Sequence, residues 1–130
     1  MAMKVACKMS SLVNDGTLLK VLLQDRYSAG AWVPLEFLKN LFTCTPAVEP
    51  ESFNSCPILL TQPAADDWTP LEASRDFFDR LKAPKSVVML ENGGHYPVES
   101  PAVEQLGAAI DDFIQNRVMV DIGLCTANVA

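Results

Sequence analysis

The sequence predicts an α/β fold built on one β-α-β-α unit. Two short apolar runs, Pro57–Thr61 and Ser86–Leu90, have the length and composition of strands covered on both faces. Between them, Thr69-Pro70-Leu71-Glu72 has the form of a capping box, with threonine as cap, proline at the first helical position and glutamate three residues after the cap. After the second run, Ser100-Pro101 opens a further helical pattern.

The elements follow in order. Residues 3–23 place apolar groups at Val5, Met9, Leu12, Val13, Leu18, Leu19, Leu22 and Leu23, broken by Asn14, Asp15 and Gly16, which reads as two short helices around a turn. Residues 24–34 contain Gly30 and Pro34 and read as a loop. Pro34 suits a first helical turn, and Leu35, Leu38, Leu41 and Phe42 share one face of the helix expected there. Residues 43–55 hold prolines without a period and read as a linker. The central helix sets Leu71, Ser74, Phe78 and Leu81 on one face and stops at Pro84. Asn92-Gly93-Gly94 forms a loop that tolerates positive φ, and the last helix turns Val103, Leu106, Ile110, Phe113 and Ile114 to one side.

Composition narrows the function classes. The 130 residues suit one domain or part of one, 49% are hydrophobic and 20% charged, and the net charge is −6. Ten scattered Lys and Arg argue against a nucleic-acid partner. No apolar run reaches membrane-spanning length, and the first residues lack the continuous apolar core of a secretory signal. Cys7, Cys44, Cys56 and Cys125 form no CxxC pair and His95 is the single histidine, so no metal site or cofactor is expected. Reduced thiols in a cytoplasmic setting are the default.

A helix between two buried strands implies parallel pairing through a right-handed crossover, with both carboxyl ends on one edge of the sheet. Neighbouring strands lie about 4.8 Å apart. Asp66 and Asp67 follow the first strand and His95 the second, so their loops emerge side by side at the edge where open α/β sheets bind ligands. A carboxylate bound to one imidazole nitrogen leaves the other free as a general base. Trp68 and Tyr96 flank this place and are candidates for lining a substrate pocket. Glu49, Glu51, Glu99 and Glu104 read as surface charges.

These residues also carry a resemblance. PILLTQPAADDWTP, SRDFFDRL, KSVVMLENGGHYPVE and a last helix with AVEQL, spanning about residues 56–116, are similar to the C-terminal part of an α/β-hydrolase of the esterase or lysophospholipase-like kind. Residues 1–50 resemble, more weakly, that family's helical cap and linker, best in WVPLEFL. The resemblance implies a division into a cap-like segment and linker (1–50), a core portion (51–117) and an apolar tail (118–130). Its Asp, three residues, Pro pattern selects Asp66, with Pro70, as the triad acid over Asp67, and Gly-Gly-His-Tyr-Pro makes His95 the triad base. The implied substrate is a small or lipid-like acyl ester.

The family's nucleophile serine sits in a Gly-x-Ser-x-Gly elbow upstream of the acid, and no such motif occurs here. Two parallel strands alone leave open edges, so the missing sheet is expected from a second copy, a complementing N-terminal hydrolase portion or a parent chain, and the serine from outside this chain. An inactive hydrolase half acting as an interaction or oligomerisation module is the alternative. Gly123-Leu124-Cys125-Thr126-Ala127 loosely resembles a cysteine elbow that would complete a permuted triad, but alanine replaces the second glycine, and the stretch reads rather as an apolar tail.

Overall fold

The computed structural model describes residues 8–27 and 31–118, the last two by backbone alone. Cys7, Gly30, Cys125 and nearly all of the apolar tail lie outside these residues. The described chain is mixed α/β. A 3-10 turn at Met9–Ser11 is followed by α1 (Gly16–Gln24), α2 (Leu35–Thr43), a second 3-10 turn at Pro50–Ser52, β1 (Ile58–Pro63), α3 (Leu71–Phe78), β2 (Lys85–Leu90) and α4 (Ala102–Phe113). A π-helical stretch, Ile114–Val118, prolongs α4.

The expected parallel pairing is present. β1 and β2 run side by side in register from Ile58 opposite Lys85 to Pro63 opposite Leu90. Pairing continues past the strand ends, because the Ala64 amide donates to the Leu90 carbonyl at 2.8 Å and the Ala65 amide to the Gly93 carbonyl at 3.1 Å. Those two bonds hold the loops together where Asp66 and His95 emerge.

α3 buries the face its spacing predicts. Phe78 and Leu81 are buried, Leu71 and Ser74 half-buried, and Pro50, Ala83, Leu90 and Ala102 are buried as well. Its carboxyl end is capped by Lys85, whose Nζ donates to the carbonyls of Phe78 (2.8 Å), Asp79 (2.6 Å) and Leu81 (2.9 Å). A cation on the orphan carbonyls of a last turn satisfies them and opposes the helix dipole. Arg80 pairs with Glu51 and Glu49 and thereby ties the linker to the same corner.

Three expectations need correction. The strands are not covered on both faces: α4 packs against both of them, while on β2 Val87 and Met89 remain 43% and 44% exposed. The last helix is rotated from its predicted face. It buries Ala102 and half-buries Leu106, Ala109 and Phe113, leaving Val103, Ile110 and Ile114 exposed. Most of the apolar stripe of α2 is also uncovered, with Leu35 67% and Phe42 82% exposed. In each case periodicity specifies an apolar face but not a neighbour to cover it.

A second, smaller core forms at the amino end. Met9, Leu12 and Val13 are buried together, with Leu18, Leu19, Leu22 and Trp68 packed on them. Asp15 caps α1, its Oδ1 accepting from the amides of Thr17 (2.8 Å) and Leu18 (2.7 Å). This segment touches the loop after β2, where the Tyr96 amide donates to the Leu12 carbonyl at 2.7 Å.

Candidate active site

The turn after β1 is shaped by Asp66. Its Oδ1 accepts from the amides of Trp68 (2.8 Å) and Thr69 (3.0 Å), an Asx-type turn that folds the carboxylate back over its own loop. Its Oδ2 accepts from the Thr69 hydroxyl at 2.8 Å and lies 3.0 Å from His95 Nδ1. Asp67, one residue on, is exposed. The Asp66 side chain is only 2% exposed and that of His95 27%.

Burial by itself would push the Asp66 carboxyl up. The Thr69 amide, the His95 ring, the Thr69 hydroxyl and the Trp68 amide together outweigh it and bring the pKa down from 3.8 to about 2. Asp66 is therefore a carboxylate at neutral pH. Facing it, His95 Nδ1 carries the ring proton, and Nε2 has no hydrogen-bond partner among the described residues. That tautomer is assigned from the hydrogen-bond network.

Thr69 departs from the capping expectation. α3 begins at Leu71 with Pro70 at its boundary and no side-chain cap. The Thr69 hydroxyl instead donates to Asp66, 3.1 Å from His95 Nδ1. The hydroxyl gives its proton to the charged Oδ2 in a charge-assisted hydrogen bond and accepts from no helix amide. An aspartate three residues before a threonine was the signal in the sequence that favoured the turn over the cap.

The loop carrying His95 is held by contacts that sequence reasoning missed. Glu99, read as a surface charge, is a clamp. Its Oε1 accepts from the amides of Asn14 (2.6 Å) and Asp15 (3.2 Å), and its Oε2 from the Gly94 amide (3.3 Å). Burial opposes the charge, but the amides of Asn14, Gly94 and Asp15 and its own hold the carboxyl below its ordinary range. Partners 84 and 85 residues away in the chain leave no local sequence signal.

The glycines before His95 serve close approach rather than the left-handed backbone, which falls on Asn92 at φ 57°. A Cβ on Gly93 would stand 3.0 Å from Ala102 Cβ, and one on Gly94 would stand 3.0 Å from Val13 Cα.

His95 forms part of the wall of a cavity of about 410 Å³, whose lining includes Leu12, Tyr27, Phe37, Trp68 and Tyr96. The ring centroid of Trp68 lies 4.4 Å from that of His95, and that of Tyr96 5.8 Å away. The structure thus brings together Asp66, His95, Trp68 and Tyr96, with the amino-terminal segment and Phe37 of α2 on the other sides of an open cleft. Among the described residues, no serine or cysteine side chain is hydrogen-bonded to His95. Nor do any three His, Cys, Asp or Glu among them cluster as metal ligands. No helix of the described residues is long and apolar enough to cross a membrane.

No family model, curated protein or solved structure matches the chain.

Proposed function

We propose that the chain supplies the acid and base of a carboxylic-ester hydrolase of the α/β-hydrolase kind. The observation that carries this reading is the 3.0 Å contact between His95 Nδ1 and Asp66 Oδ2 in the wall of an apolar cavity. Asp66 holds the ring in one tautomer and stabilises the imidazolium. His95 Nε2 takes the proton of a serine hydroxyl as that oxygen attacks the acyl carbonyl, then returns it to the departing alcohol. The same nitrogen next takes a proton from the water that attacks the acyl carbonyl and gives it to the serine oxygen as the bond to the acyl group breaks and the acid departs. Trp68 and Tyr96 form the apolar side of the acyl site, which suits a small or lipid-like acyl ester. The serine comes from a complementing N-terminal hydrolase portion. The free thiols Cys44 and Cys56, both exposed, favour a reducing, cytoplasmic setting.

The test is hydrolysis of p-nitrophenyl butyrate by a hydrolase-competent preparation, the chain together with the portion that supplies the serine. His95→Ala should lower the rate by roughly 10²- to 10⁴-fold. Full activity in that variant overturns the assignment.

A second reading has its own observation. Val87 and Met89 on the sheet and Leu35, Phe37 and Phe42 on α2 are uncovered, which favours an interaction or oligomerisation module descended from a hydrolase. A fluorophosphonate probe separates the two. Labelling supports the enzyme, and a label on Cys125 points to the permuted triad. No label, together with a dimer on size-exclusion chromatography, supports the module.

A further inference from the structure

We infer that Thr69 is a positioning residue of the Asp66–His95 pair: its hydroxyl, beside the Asp66 carboxylate, biases the ring proton of His95 to Nδ1. This rests on the reading of Asp66 as acid and His95 as base. Three atoms form a closed triangle. Thr69 Oγ1 is 2.8 Å from Asp66 Oδ2 and 3.1 Å from His95 Nδ1, and Oδ2 is 3.0 Å from Nδ1.

The hydroxyl has one proton to give, and the choice of acceptor decides the rest. Oδ1 of Asp66 is already occupied by the amides of Trp68 and Thr69. Oδ2 is charged and lies closer to Oγ1 than Nδ1 does, so it takes the hydroxyl proton. The lone pairs of Oγ1 are then left toward Nδ1. The ring nitrogen meets two acceptor oxygens, and only a protonated Nδ1 satisfies both, through a hydrogen bond shared between Oδ2 and Oγ1.

The opposite tautomer would set the Nδ1 lone pair against both oxygens, with a single proton among three acceptors. The Nδ1–H form is thereby selected and Nε2 is left as the basic nitrogen facing incoming chemistry. The main chain reinforces the arrangement. The Thr69 amide is bound by the same carboxylate as its hydroxyl, which fixes the backbone from which the side chain reaches Oδ2.

The single histidine makes the test unambiguous. Long-range ¹H–¹⁵N correlation spectra of the ring, recorded at alkaline pH where an imidazole is neutral, report the ratio of Nδ1–H to Nε2–H. In the unsubstituted chain Nδ1–H should dominate. Thr69→Val, which keeps the shape and removes the hydroxyl, should lower the ratio roughly five-fold, the factor one neutral hydrogen bond supplies. Thr69→Ser should restore it.

A Thr69→Val chain that melts at a lower temperature with an unchanged ratio shows a structural role only and overturns the inference. Should that variant fail to fold, the unsubstituted chain still decides. An Nε2–H ring there, or no nuclear Overhauser effect between the Nδ1 proton and Thr69 Hβ, overturns it as well. No substrate enters the measurement, so failure of the esterase reading and failure of the Thr69 role are separable.

Discussion

His95 Nδ1 stands 3.0 Å from Asp66 Oδ2, although 29 residues separate them in the chain. Parallel pairing brings the two loops to one edge, and the bond from the Ala65 amide to the Gly93 carbonyl continues it to the residues beside the pair. The contact therefore depends on the sheet as much as on either side chain.

Replacing Asp66 removes the acceptor of two amides, a hydroxyl and a ring nitrogen at once. Asp66→Ala should destabilise the chain by about 1–3 kcal/mol or more, since buried donors are left without partners. Thermal unfolding followed by circular dichroism checks this, and an unchanged midpoint would show that the turn holds itself.

Acid should weaken the fold through the same carboxylate. Its pKa is lowered in the folded chain, from 3.8 to about 2. The stabilisation is therefore present above pH 4 and lost as pH falls from about 4 to about 2, amounting to about 2 kcal/mol. Urea midpoints measured across that range should fall in the unsubstituted chain and vary less in Asp66→Asn.

Glu99 ties the amino-terminal segment to the histidine loop. In Glu99→Ala the amides of Asn14, Asp15 and Gly94 lose their shared acceptor and should exchange with solvent deuterons faster, while those of the β1–β2 ladder keep their rates. Its carboxyl too is held below the ordinary range, so acidification below that range should loosen the same amides. Unchanged exchange at all three sites would remove Glu99 from the clamp.

Two glycine substitutions should have opposite signs. Gly94→Ala drives a methyl against the Val13 backbone and should cost about 1–3 kcal/mol. Gly107→Ala, within α4 and with nothing inside 4 Å of the new Cβ, should stabilise by roughly 0.5–1 kcal/mol. Denaturant melts of the two variants give both signs directly.

How much of this was legible beforehand varies by residue. The strand, helix, strand order and the pairing of an aspartate with His95 followed from local patterns, because apolar runs and helix stops are short-range properties. Choosing Asp66 over Asp67 needed the family pattern, and in the structure Asp66 is the buried partner while Asp67 faces solvent. Thr69 was assigned to a helix cap because its neighbours in sequence suit one, whereas its partner His95 lies 26 residues away.

By itself, then, the chain of residues determined the α/β elements, the parallel unit and the placement of an aspartate and a histidine at one sheet edge. Tertiary structure alone decided which apolar faces are covered, that Thr69 joins the pair, that Glu99 clamps the histidine loop, and that Gly93 and Gly94 are needed for close approach. The physical reason is range. Secondary-structure preference and turn chemistry act over a few residues, whereas burial and hydrogen-bond partners are set by segments distant in sequence that folding brings into contact.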